Sequence, residues 1–305
     1  MKEVDGNKIF SLLNKSIGFI LFIVCAWAIY QKVLHHPNLL AHGEAIQFQF
    51  KRITFSEWFL LVLLFCLNYA TEALKWKILL AHWNPLSMLK SLKTVLVGQA
   101  FAFFTPVRSG DYVGRILFLE TGHKWKGVAQ LAWSNYAQLI ITLTMGAFGM
   151  FFNLPFFPWL KWLGPMVVLM AYYIYFHPGQ FKGWLQKMTA LQIGIDVKIK
   201  LLLLSLLKYI IFMVQYIWVV KIFSIPVPLF ELWIALSVMF LCLSIIPAIS
   251  LTDLVIRGQL IVVLLAAWYD NSLMLICVST LIWAVNFLLP AIIGAFLLLN
   301  FRLKQ

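Results

Sequence analysis

The sequence predicts an all-α, polytopic membrane protein with about six full spans and two inverted re-entrant or broken-helix hairpins. Three observations predict it. Of 305 residues, 63% are hydrophobic and only 11% charged, and the mean hydropathy of +0.90 exceeds that of soluble cores of this size. The apolar residues form continuous runs near the roughly 20 that a helix needs to cross about 30 Å of hydrocarbon, longer than the alternating barrel strands of about ten. Lys and Arg gather in short clusters between the runs, where topology signals belong.

The remaining composition narrows the function classes. The formal charge of +13 is spread among those clusters rather than along one face, so no nucleic-acid footprint is expected. Cys25, Cys66, Cys242 and Cys277 lie in apolar segments without paired spacing, which argues against a disulfide framework or a zinc site. The histidines flank membrane segments without ligand spacing, and the glycine runs lack the Lys-Ser/Thr ending of a phosphate loop. No metal, cofactor or direct ATP drive is expected.

In chain order, Lys2, Lys8 and Lys15 precede an apolar run from Ile17 to Leu34, too long for a signal-peptide core and read as the first span. Gln31 to Glu57, broken at His35-His36-Pro37, reads as a sizeable extramembrane loop. Trp58 to Leu80 is the second span. From Leu86 to Gly122, an apolar arm ending near Phe104 meets Thr-Pro-Val-Arg-Ser-Gly-Asp and a second short arm; both are short for full spans, which suggests a re-entrant hairpin. Spans follow at Val128–Phe152, Leu160–Phe176 and Leu201–Val220, with the turn Asn153-Leu154-Pro155 after the first of these. His177 to Lys200 is a loop with room for an interfacial helix near Trp184. Leu229 to Trp268 repeats the hairpin pattern around Pro247, and the last span is Leu273–Leu299, where Pro290 is placed to introduce a kink.

With both termini cytoplasmic, fifteen Lys and Arg fall on the inner side and five on the outer, provided each hairpin returns to the side it entered. The hairpins are then inverted. The whole of 1–305 reads as one integral membrane domain, with pseudo-repeat halves at roughly 57–152 and 200–300.

The two breaks share their chemistry. The first carries Thr105, Pro106, Arg108, Asp111 and Arg115; the second carries Pro247, Ser250, Asp253 and Arg257. In each, an acid precedes an arginine by four residues, on one helical face and in the favourable order. Interrupted helices in corresponding halves point to a transporter site near the bilayer midplane, and charges at that depth usually line a polar cavity. Arginines beside helix N-termini favour a phosphate or another anion. The alternative is that Asp111 with Arg115, and Asp253 with Arg257, only neutralise each other. Glu72, near Lys75 and Asn68 on one face, reads as an interfacial pair or a cavity residue. Asn135, Gln138, Gln215 and Asn286 read first as interhelical hydrogen-bonding groups, with Asn135 a second cavity candidate.

On these residues the chain resembles the lysylphosphatidylglycerol synthase transmembrane family, a flippase-like membrane domain found alone or fused to an aminoacyl-lipid synthase. The likeness runs from the second span to the C-terminus. The family's Thr-Pro-Gly-Arg, small residue, Gly-Glu run and following Arg are similar to Thr105 through Asp111 and Arg115, with Val107 for a glycine and Asp111 for the glutamate. Its second proline, glycine-rich turn and Arg-Glu pair correspond to Pro247, Ser250 and Arg257; the glycines are missing, Gly258 stands at the acid, and Asp253 is the candidate substitute. The resemblance implies lipid handling in a bacterial cytoplasmic membrane without aminoacyl transfer, because the large soluble synthase domain has no counterpart up to Gln305.

The leading expectation is therefore translocation of an anionic phospholipid or lipid-linked head group. Arg108, Arg115 and Arg257 would contact the phosphate, and Asp111 and Asp253 would hold them. An integral membrane transferase acting on a lipid, or a non-catalytic partner of a separately encoded lipid-modifying enzyme, are the alternatives. A homo-oligomer is left open.

Overall fold

A computed structural model describes residues 27, 39–153, 160–178, 193–248 and 250–299. Every regular element among them is helical. Apart from Trp27, the expected first span at Ile17–Leu34 lies outside the described residues, as do the turn at Leu154-Pro155 and the segment around Trp184.

The segment expected to be a loop before Glu57 contains helix α1, Leu39–Arg52. The polar residues that suggested a loop are spaced around an amphipathic helix, and Phe50 packs edge-on against Phe223 at 5.2 Å. Helix α2, Phe55–Leu80, opens at Thr54, whose backbone N–H donates to the Glu57 carboxylate at 2.7 Å. This is half of a capping box.

Helix α2 is apolar nearly all round, yet its polar residues lie on the inner face. Phe59, Val62, Leu63 and Leu67 point outward, whereas Asn68, Glu72 and Lys75 are buried. That inverts the usual soluble pattern and suits a helix whose outer face meets lipid. Helix α3, Met88–Phe104, stops because Thr105 precedes Pro106 and takes extended backbone, as the proline ring requires of its neighbour. A 3-10 turn, Pro106–Arg108, leads into the short helix α4, Gly110–Ile116.

Helices α5, Lys124–Asn153, and α6, Leu160–Phe176, follow. Helix α7, Ile195–Ile222, buries Leu201, Ser205, Tyr209, Met213 and Tyr216 along one stripe. It ends in a Schellman motif: Ser224 takes φ 54, its N–H reaches Lys221, and the N–H of Ile225 reaches Val220. Helix α8, Leu229–Ile245, and helix α9, Ser250–Leu265, flank the second break, where Ile246 is extended before Pro247.

The last helical column comprises α10, Ser272–Trp283, a π-helical turn, Ala284–Leu288, and α11, Leu289–Leu299. Pro290 has no N–H for the carbonyl of Asn286, one turn back. The buried hydroxyl of Tyr69 donates to that carbonyl at 2.8 Å instead.

Among the described residues, three helical columns, Phe55–Leu80, Lys124–Phe152 and Ser272–Leu298, are long and apolar enough to cross a membrane, and Trp162–Phe176 and Leu229–Ile245 are shorter apolar helices. One apolar core joins α2, α5, α7, α8, α9 and α10, and a second joins α2, α3, α5, α6 and α7. The chain thus has the architecture of a helical membrane protein.

Candidate functional site

Close backbone approach brings the first break together. A Cβ on Gly114 would lie 2.6 Å from the Cα of Gly98 on the facing helix, and a Cβ on Gly98 would overlap the Asp111 carboxylate. Only glycine permits this crossing. Thr105 closes the turn by accepting from the N–H of Gly110 at 2.7 Å and donating to the Phe101 carbonyl at 3.1 Å.

The two breaks meet. The N–H of Val107 donates to the carbonyl of Ala248 at 3.1 Å, and both flank a cavity of about 870 Å³. Residues from α2, the first break, α5, α7, α8, the second break, α9 and the π-helical turn line it. Eight of the nine candidate residues line it: Arg108, Asp111, Arg115, Ser250, Asp253, Arg257, Glu72 and Asn135. Thr105 does not; its hydroxyl holds the turn that presents Arg108.

Glu72 is the centre of the charged wall. Its Oε1 accepts from Arg115 Nη2 at 2.9 Å, and its Oε2 accepts from Lys208 Nζ at 2.7 Å and lies 3.5 Å from Lys75 Nζ. Arg115 Nε donates to Asp111 at 2.8 Å. Both Glu72 and Lys75 are buried, so the pair faces the cavity wall. Across the cavity, Arg257 Nη2 donates to Asp253 at 3.0 Å, the i to i+4 geometry that the spacing implied.

Arg108 differs from the other two arginines of the cavity. It forms no ion pair among the described residues; its Nη2 donates to the Gln99 side chain, and its guanidinium lies 4.3 Å from the centre of the Phe287 ring. Arg257 approaches the same ring at 5.2 Å. A negative aromatic face thus holds two cations of opposite breaks near each other. The π-helical turn, which widens the helix by one residue, carries Phe287 to that position.

Asn135 donates to the Tyr112 hydroxyl at 3.0 Å, and Asn286 donates to Gln215 at 2.9 Å. Leu139, Phe212, Phe240, Leu243 and Ile246 also line the cavity and give it an apolar wall. Ile245 also lines the cavity and is 68% exposed, marking an opening to the protein surface.

Sequence reasoning missed Lys208, Gln99 and Phe287. Lys208 had a readable signal, because a single lysine inside the apolar run after Leu201 needs a partner at that depth. Gln99 and Phe287 had none, since their roles depend on how distant helices cross.

Five cations, Lys75, Arg108, Arg115, Lys208 and Arg257, face three carboxylates, Glu72, Asp111 and Asp253, around the cavity. Among the described residues, no group of three His, Cys, Asp or Glu side chains can hold a metal ion. The electrostatics therefore suit an anion. In comparisons with known proteins, no family profile, curated protein or solved structure matches the chain.

Proposed function

We propose that this protein moves an anionic phospholipid or lipid-linked head group across a membrane through the cavity at the meeting point of the two chain breaks. The observation that carries the reading is one cavity that joins a surplus of cations to an apolar wall. Such a space matches an amphipathic ligand, with the phosphate on the arginines and the first acyl carbons along Leu139, Phe240 and Leu243. Arg108, without a carboxylate partner among the described residues, takes the phosphate first; Arg115 and Arg257 stay oriented by Asp111 and Asp253.

In this reading α6, α7 and the N-terminal apolar run Ile17–Leu34 also cross the membrane, giving about six full spans. The helices beside each break form two inverted hairpins that do not cross it, and both termini face the cytoplasm. The resemblance to the lysylphosphatidylglycerol synthase transmembrane family gains support from Val107. It stands where that family has glycine, and its φ of 53 and ψ of 22 are left-handed values that glycine adopts freely.

The test is reconstitution of the purified chain in vesicles with a fluorescent phosphatidylglycerol and an impermeant quencher that reads its exposure in each leaflet. Wild-type protein should equilibrate the lipid, and Arg108→Gln should slow it at least tenfold. Equal rates for wild type, variant and empty vesicles would count against translocation.

A further inference from the structure

Resting on that translocation reading, we infer that the preferred head group ends in a doubly charged phosphate, as in a lipid phosphate monoester, rather than in a phosphodiester or an amine. The five lining cations exceed the three lining carboxylates by two charges. A phosphodiester supplies one compensating charge, whereas a phosphate monoester supplies about 1.5 to 2 at neutral pH. Like charges gathered around one cavity repel each other, so the ligand that cancels the surplus is favoured.

The hydrogen-bond donors give a second, independent argument. Arg257 is 4% exposed, and its Nε and Nη1 meet no acceptor among the described residues; Arg115 Nη1 is in the same state. Arg108 has no carboxylate partner among the described residues and shares the Phe287 ring with Arg257. Guanidinium forks bind phosphate oxygens in pairs. A terminal phosphate presents three free oxygens and can serve two forks at once, while a diester presents two.

An amine-bearing head is disfavoured by the same wall. It would need a carboxylate, and all three are already engaged: Glu72 by three cations, Asp111 by Arg115, and Asp253 by Arg257. The apolar wall beyond them takes the carbon chain directly, as a monoester with no further polar substituent requires.

The experiment measures lipid binding to the purified full chain in detergent by native mass spectrometry. Phosphatidic acid, phosphatidylglycerol and phosphatidylcholine with identical acyl chains are the probes. Phosphatidic acid should bind at least tenfold more tightly than phosphatidylglycerol, and Arg108→Gln, in protein whose unfolding midpoint matches wild type, should erase that preference. Equal binding of phosphatidic acid and phosphatidylglycerol, both weakened by Arg108→Gln, overturns the doubly charged head group while leaving the anionic-lipid reading in place. Equal binding of all three lipids, unchanged in the variant, overturns both.

Discussion

The backbone N–H of Val107 donates to the carbonyl of Ala248 at 3.1 Å, tying the first chain break to the second. Each break alone leaves helix ends without partners, because Pro106 and Pro247 end their helices early. Joined, they place Arg108 and Arg257 on one ring. The pairing of these two arginines on one aromatic face is a product of this contact, since they come from opposite halves of the sequence.

Val107 reaches its position with left-handed backbone, φ 53 and ψ 22. A β-branched residue is strained there, at a cost of roughly 1–2 kcal/mol. Glycine removes the strain but adds unfolded-state entropy of roughly 0.5–1 kcal/mol. Val107→Gly should therefore stabilise the protein by up to about 1 kcal/mol, visible as a raised midpoint of thermal unfolding in detergent. A lowered midpoint would show that the exposed valine side chain contributes more than its backbone costs.

Glu72 accepts from Arg115 and Lys208 and lies beside Lys75. Glu72→Gln leaves these cations facing one another with a single neutral acceptor. Removing one member of a buried ion pair typically costs about 3–5 kcal/mol, so a loss of that size is expected in denaturant unfolding. Adding Lys208→Met should recover part of it, because one of the stranded charges is then absent. If the double variant is as unstable as the sum of the two singles, the three cations do not act through Glu72 as a unit.

The sequence made the charged half of this site legible and left the aromatic half hidden. Asp111 with Arg115 and Asp253 with Arg257 are local pairs, and a four-residue spacing on a helix dictates their contact. The prolines likewise announce where α3 and α8 stop. Phe287 gave no such notice, because it is one of many aromatic residues in an apolar run and acquires its role only when the π-helical turn aims it at two distant arginines. Helix α1 was hidden for a different reason: it is short and polar and follows the His35-His36-Pro37 break, so the stretch reads as a loop until it is wound into a helix whose period sorts its residues into faces.

Gly98 gives a prediction about assembly of the first hairpin. Its missing side chain leaves room for the Asp111 carboxylate, and Gly114 faces it across the helix crossing. Gly98→Ala pushes the acid off Arg115 and forces α3 from α4. Overpacking of this kind costs roughly 1–3 kcal/mol, with a further loss from the disturbed ion pair. Thermal unfolding should show a clear drop, and Asp111→Asn in the same background should add little, since the contact is already displaced. A fully additive second loss would place the acid elsewhere.

Solvent access to the cavity decides whether the charges form a path or a dry internal brace. Ser109, beside Arg108, and Ile245, at the apolar rim, both line the cavity and are exposed. Single cysteines at these positions, in a chain without its four native cysteines, should both react with a water-soluble maleimide in sealed vesicles. A hydrated path between leaflets predicts that reagent added on either side reaches at least one of them, and that phosphatidic acid slows labelling at Ser109→Cys several-fold while sparing Ile245→Cys. A continuous path without a head-group site would protect neither position. Labelling from one side alone, unaffected by lipid, would make the arginine and carboxylate pairs a structural brace around a blind pocket, since a head group cannot pass between leaflets through a space closed at one end.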